Sequence, residues 1–420
     1  MASVLFCWEL GAGFGHLTPH REVLATLQRK GHTVHVVVRD LVRATKAFEG
    51  LPFVYWQAPT PQSRPEKIFK PTINFTQILY NTGLEDPTGL AVRIAAWRSI
   101  FVATRPQVAL VDYTPTALLA LRGLGIPTVV TGTGFTIPPN VTPFPAFPML
   151  KNLATGEKLF YEERQLLVGV NAALAKHRIA PLNNLAQIFH DVAGKIFRVL
   201  PEFDHYPRRG PAEFLGLPPE PQRPPTTWPA GDGPRVFAYL KPFQTLETLL
   251  TELQQRRLPT IIACDGIAKD LQDKYSSETM RFSAPTVDVA QMGRESHFAI
   301  TNGGFTTSVQ LLLQGCPLMV IPLQLEQMLA AHNFRRLGAG VIVRPTMADD
   351  IAPRLTELLE NTKYRDAAGA LARKYEGRTN DYVERATAVL EKFLPAPSTA
   401  KPQPVVETSE LADPATSANA

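Results

Sequence analysis

Between Thr301 and Gly340 the chain reads TNGGFTTSVQLLLQGCPLMVIPLQLEQMLAAHNFRRLGAG, a pattern that few folds accommodate. Apolar residues from Phe298 to Ile300 end a strand, a glycine loop follows, and Thr306 or Thr307 suits the N-cap of a helix. Gly315 falls at that helix's C-cap, Pro317 starts a second apolar strand from Leu318 to Ile321, and Pro322 closes it. Two strand–loop–helix units in succession predict an α/β protein.

The loops carry chemistry as well as turns. Backbone N–H groups at a helix start have a partial positive charge, so Asn302, Gly303, Gly304 and the threonines after them are candidates to hold a diphosphate. After the second strand, Glu326 and Gln327 offer a carboxylate and a carboxamide able to hold vicinal hydroxyls of a sugar.

This stretch resembles the donor-binding signature of the UDP-dependent glycosyltransferases of GT-B fold, which include plant natural-product and bacterial macrolide enzymes. That family reads roughly His-x-Gly-x-x-(Ser/Thr)-x-x-Glu, then Gly-x-Pro, Pro and Asp-Gln; Gly304, Thr307, Gly315, Pro317, Pro322 and Gln327 fall in register. A Rossmann-like βαβ pair with glycines placed only for turns would explain a single loop, whereas this register extends over two. Three positions depart. Asn302 stands where the family has a phosphate-binding His, Gln310 where it has a ribose-binding Glu, and Glu326 where it has a sugar-binding Asp.

The amino-terminal part fits the same resemblance. Ser3 to Trp8 read as a buried strand, ELGAGFGH as a loop, Thr18-Pro19 as the cap and first residue of a helix, and Thr33 to Val38 as the next strand. The loop approaches G-x-G-x-x-G, but its third glycine is replaced by His16, which weakens a dinucleotide-binding reading. The resemblance instead aligns Gly15, His16 and Pro19 with the family's Gly-His-x-x-Pro and implies that His16 is the general base. The strand VALVD ends at Asp112, at the edge of an open α/β sheet where ligands bind. There the family has the Asp that orients its His. Residues 131–150 hold Phe135, Phe144 and Phe147 without helical or strand period; they are candidates for an apolar acceptor pocket or a membrane contact, with packing inside the loop as the alternative.

Further donor contacts follow from position. Lys241 after the strand RVFAYL replaces the family's small turn residues and could pair with a diphosphate. Ala284 and Thr286 lie where the family holds the base, with Phe282 as the aromatic one position displaced.

At 420 residues and 45% hydrophobic content, the chain is long enough for two α/β domains. Its net charge of +5 comes without a long Lys/Arg run, which suits an anionic nucleotide and speaks against a nucleic-acid surface. Cys7, Cys264 and Cys316 are scattered in or beside apolar runs, as in a reducing compartment. No apolar stretch approaches the roughly 20 residues of a membrane span, and the start lacks a secretory pattern, so the sequence reads as cytoplasmic with at most a peripheral membrane contact. There is no Asp-x-Asp, so no carboxylate pair to chelate a metal, and no cofactor is expected.

The expected organisation is two doubly wound, Rossmann-like domains facing a cleft. Residues 1–205 form an acceptor-binding domain, 206–233 a Pro-rich linker, 234–394 a nucleotide-sugar domain whose last helix crosses back, and 395–420 a disordered tail. The secondary-structure reading further expects helix through 158–195, a strand at 198–200, and two final helices at 347–361 and 364–393. The resemblance implies a metal-independent, inverting transferase moving a hexose from a UDP or dTDP sugar to a hydroxyl of a small-molecule or lipid acceptor. The alternative from another class is a non-catalytic nucleotide-binding relative that regulates a partner glycosyltransferase, suggested by Asn302 and Gln310.

Overall fold

The computed structural model describes residues 1–62, 65–206, 209–219, 223–284, 287–377 and 381–395. Twelve strands make two six-stranded sheets of parallel pairs. In the first, β1 (Ser3–Trp8), β2 (Thr33–Val38), β3 (Val54–Gln57), β4 (Val108–Asp112), β5 (Thr128–Gly132) and β6 (Gly194–Phe197) lie in the order β3-β2-β1-β4-β5-β6. In the second, β7 (Val236–Leu240), β8 (Thr260–Cys264), β9 (Met280–Ser283), β10 (Phe298–Thr301), β11 (Leu318–Val320) and β12 (Gly340–Ile342) repeat that order, β12-β11-β10-β7-β8-β9. This is the doubly wound pair of the GT-B fold.

The central strands are near-continuous apolar runs because helices cover both faces of each sheet. Val4, Phe6, Val34 and Val36 pack one face of the first sheet against Val23, Leu24 and Leu27 of helix Arg21–Arg29. Tyr382, Ala386 and Leu390 of the last helix, Tyr382–Glu391, complete that core, so the chain's end returns to its beginning. Lys30 of the first half pairs there with Glu391. The core on the other face continues into the second half, with Phe203 against Phe305 and Phe334 at ring distances of 6.4 and 5.7 Å.

Sequence spacing located β1, β2 and β4 to the residue. Elsewhere it erred where local chemistry interrupts a run. The helix expected through 158–195 stops at Ala175, because Arg178 takes a left-handed φ of 56° and Pro181 follows; a second short helix spans Gln187–His190. The strand expected at 198–200 lies at Gly194–Phe197, leaving Arg198 just past its end. The final two helices are three, Ile351–Glu360, Lys363–Tyr375 and Tyr382–Glu391, with Gly377 at a φ of 69° breaking the run. Of the described residues in 206–233, none lies in a helix, and the only strand-like pairing is the bridge of Phe214 to Phe197. The expected tail, beyond Pro395, lies outside the described residues. Among the described residues no helix is long and apolar enough to cross a membrane.

Candidate active site

Strand order reverses between β1 and β4 in the first sheet, and such a switch point opens a crevice at the strands' carboxyl ends. Trp8 ends β1 in register with Asp112 at the end of β4. The loop after β1 then brings His16 back over the crevice, where its Nδ1 lies 3.1 Å from Asp112 Oδ1. Asp112 is fully buried and His16 nearly so. The two residues singled out from the sequence, 96 positions apart, therefore form one hydrogen-bonded pair.

Three neighbours fix the imidazole. Trp8 stacks on it with ring centroids 5.7 Å apart, and Trp8 Nε1 donates to Leu10 O at 2.6 Å. Tyr113 packs against it at 5.7 Å and is held at a φ of 47°, a left-handed backbone that a bulky aromatic rarely adopts; Leu10 N donates to its carbonyl at 3.0 Å. Gly11 has a φ of 84°, and a Cβ there would stand 2.4 Å from His16 Nε2. We expect Gly11→Ala to displace the ring and lower turnover by about tenfold or more, with nucleotide affinity kept. Wild-type turnover in a folded Gly11→Ala protein would show that His16 tolerates displacement.

Sequence reasoning missed two groups that meet this pair and a third that braces the strand ends beside it. His20 Nε2 lies 2.8 Å from Asp112 Oδ2, and Arg198 donates to the same oxygen at 2.7 Å. Both are buried, at 1% and 2% exposure, with no solvent to screen them. Burial pushes the His20 pKa down to about 4, outweighing the help of Asp112, so His20 is neutral at ordinary pH. Burial alone would raise the Asp112 carboxyl, but Arg198 and His16 hold it well below the usual carboxylate range. Glu9 is the third: its buried carboxyl accepts from Thr116 N at 3.2 Å and Thr116 Oγ1 at 2.6 Å, tying the helix after Asp112 to the end of β1. Burial pushes its pKa up to about 7, against the pull of Thr116, Arg93 and Arg39. A motif scan sees none of these, because each lies outside the family's short signature.

The second sheet repeats the geometry. Its switch point lies between β7 and β10, where Lys241 and Asn302 follow paired strand ends. Asn302 occupies the expected place, but both ends of its amide are engaged within the protein: Oδ1 accepts from Lys241 N at 2.7 Å and Nδ2 donates to Ile321 O at 3.0 Å. Lys241 Nζ reaches Asp265 at 3.3 Å across exposed surface. The helix start differs from the sequence reading. The helix is Phe305–Leu313 with Gly304 as N-cap and no side-chain cap, so Thr306 and Thr307 sit inside its first turn and its leading N–H groups stay uncapped. Around Gly304 a Cβ would meet nothing within 4 Å, whereas one at Gly303 would press on Val320 and Gln327. Gly315 does end the helix, at a φ of 78°, with Cys316 N donating to Leu311 O at 3.1 Å.

Glu326 and Gln327 open the helix Leu325–Arg336. Thr133, in the loop after β5, donates to Glu326 Oε1 at 3.2 Å and so joins the two halves across the cleft. Burial raises the Glu326 carboxyl, opposed by His16, Thr133 and Arg198, which puts Glu326 in the electrostatic field of the His16–Asp112 pair. Gln327 Oε1 caps its own helix, accepting from Leu323 N at 2.7 Å and Gln324 N at 3.1 Å, so only its amide nitrogen is left for a ligand. Gln310 is partly buried, and its side chain makes no hydrogen bond among the described residues. Ala284 is exposed, Phe282 is packed on the second core, and Thr286 lies outside the described residues.

Phe135, Phe144 and Phe147 are buried and open neither to solvent nor to a membrane face. They pack among themselves and with neighbouring rings, Phe135 on Phe147 at 5.9 Å and on Tyr113 at 6.2 Å, and Phe144 on Phe75 at 5.8 Å. The rings pack within the loop and against the neighbouring Phe75 and Tyr113, in the edge-to-face and stacked arrangements aromatic pairs favour. A separate cavity of about 490 Å³, lined by Leu118, Arg122, Thr128, Ile188 and Phe393, lies at the opposite edge of the sheet, where β5 begins. Among the described residues no three His, Cys, Asp or Glu gather as a metal site.

No family model matches the chain. A "PGL/p-HBAD biosynthesis rhamnosyltransferase" of Mycobacterium bovis is 27% identical over 288 residues, covering 64% of this chain and 63% of that protein, under two thirds of its length. A "PGL/p-HBAD biosynthesis glycosyltransferase" of Mycobacterium tuberculosis is 26% identical over 393 residues, covering 89% and 88%. Among solved structures, the glycotransferase of kitacinnamycin superposes with a TM-score of 0.65 at 17% identity, covering 94% of this chain and 99% of its own. Glycosyltransferase VinC in complex with dTDP gives 0.63 at 15% identity, covering 93% and 100%.

Proposed function

We propose that this chain, which shares the fold of GT-B glycosyltransferases, is a UDP-glycosyltransferase-like enzyme that transfers a hexose from a UDP or dTDP sugar to a hydroxyl of a small-molecule or lipid acceptor, with inversion. The observation that carries this reading is the buried His16–Asp112 pair at the first switch point, with the uncapped helix start of the second sheet across the cleft. The dTDP bound to VinC and the rhamnosyltransferase name of a relative support a dTDP-linked deoxyhexose as one form of the donor.

The chemistry balances on this chain's own groups. Asp112 accepts from His16 Nδ1–H, which leaves the Nε2 lone pair to take the acceptor's hydroxyl proton. The acceptor oxygen bonds to the anomeric carbon as that carbon's bond to the diphosphate breaks, and the electron pair leaves with the nucleotide. Asp112 steadies the imidazolium until its proton passes to solvent. Charge on the leaving diphosphate is met by backbone N–H groups at Gly304 and the helix start, the Gly303 N–H being taken by Thr301 Oγ1, with Lys241, paired with Asp265 here, as a further donor, and no metal is needed for this step. Gln310 is assigned to the ribose, and Glu326 with the Gln327 amide to the sugar hydroxyls.

The regulatory reading draws on one observation, the engagement of Asn302 within the protein, which leaves the donor phosphate without the family's imidazole. A regulator would not need the base and its orienting acid. Calorimetry with UDP and dTDP checks the donor assignment: binding to wild type is expected without a divalent ion. No binding of either at millimolar concentration, or strict dependence on a divalent ion, would contradict it.

A further inference from the structure

We infer that Arg198 sets the basicity of His16 by neutralising Asp112, a positioning and electrostatic role beyond the His–Asp pair itself. The inference rests on the transferase reading for its importance, though its own test does not need turnover.

The charge arrangement around Asp112 is unusual for a two-residue dyad. Oδ1 takes His16, and Oδ2 takes both His20 and Arg198, at 2.8 and 2.7 Å. His20 is neutral above about pH 5, so among the described residues the only permanent cation on the carboxylate is Arg198. Among the described residues the guanidinium makes a single hydrogen bond, to Asp112, and its Nε is buried without a partner. A guanidinium bonded to the carboxylate through one nitrogen, with its buried Nε unpartnered, lacks the two-point grip of a bidentate pair. It does supply a charge, held in place by its own main chain, where Arg198 N donates to Gly132 O at 2.8 Å.

The sign of the effect follows. A lone buried carboxylate against an imidazole stabilises the protonated ring and raises its pKa. Arg198 places an opposing charge on the other carboxylate oxygen, so His16 keeps its orienting acceptor while the carboxylate's pull on a ring proton is weakened. The other groups facing the cluster are the hydroxyls of Tyr113 and Tyr382, which burial keeps protonated, and the carboxyl of Glu326 across the cleft. None of these supplies positive charge.

The test is an NMR titration of the His16 imidazole C–H, assigned by its loss in His16→Gln, in wild type, Arg198→Met and Arg198→Lys. Arg198→Met is expected to raise the His16 pKa by about one unit, and Arg198→Lys to stay within about 0.3 unit of wild type. Where Arg198→Met does not fold, Arg198→Gln is read by the same criterion. The acid limb of kcat/KM should move with the NMR value, while UDP or dTDP affinity is unchanged. An unchanged His16 pKa in the neutral variants, even with a lowered Tm, would overturn the inference and leave Arg198 structural. Absence of turnover in wild type would instead count against the transferase reading and leave the titration result standing.

Discussion

His16→Ala is expected to lower turnover by about a hundred- to ten-thousand-fold while UDP or dTDP affinity stays at the wild-type level. The split follows from the fold. His16 belongs to the first sheet's crevice, and the uncapped helix start at Gly304 belongs to the second, so removing the imidazole touches no group assigned to the nucleotide. Nor should the fold suffer much, because the ring is stacked on Trp8 at the cleft's edge and makes one hydrogen bond. Steady-state rates beside calorimetry would read both quantities. Equal losses in rate and nucleotide affinity would mean that His16 supports the donor site and is not the base.

Asp112→Asn should also lower turnover, less severely, and should cost more stability than His16→Ala. An aspartate accepts from His16 Nδ1, His20 Nε2 and Arg198 at once. A carboxamide has a single acceptor oxygen, so its NH₂ must face a donor on one side, and Arg198 is left as a buried cation without its counter-charge. Breaking such a pair typically costs about 3–5 kcal/mol. The rate effects of the two variants should not multiply in His16→Ala/Asp112→Asn, since the pair acts as one unit. Multiplying losses in the double variant would separate the two roles, and a thermal melt of Asp112→Asn near wild type would show that Arg198 finds another partner.

How much of this was legible in the sequence depended on the range of the interaction concerned. Strand ends could be read because apolar runs stop where loops begin, which placed Asp112 at the end of β4 and the glycine loop after β10. The doubly wound order and the meeting of His16 with Asp112 followed from that pattern together with the family resemblance. What escaped were contacts decided by tertiary geometry. Arg198 read as part of a strand, yet it stands just beyond one and turns into the crevice. His20 read as the opening of a helix, and its ring points inward to the same carboxylate. Asn302 and Gln327 have amides that could serve a ligand, but local strand ends and a helix cap claim their hydrogen bonds. The three phenylalanines of 131–150 lacked any period, and only the folded loop shows them packed inward.

On the proposed mechanism a nucleotide sugar bound across this cleft gives up its hexose to an acceptor hydroxyl activated by His16. The most direct test is mass spectrometry of wild type and His16→Ala incubated with UDP- and dTDP-sugars and a panel of hydroxylated small molecules and lipids, without added metal. The account predicts, for wild type, an acceptor product heavier by one sugar residue and one equivalent of free nucleoside diphosphate, both nearly absent with His16→Ala. Nucleotide binding with no sugar transferred to any acceptor, or product formed equally well by His16→Ala, would contradict it.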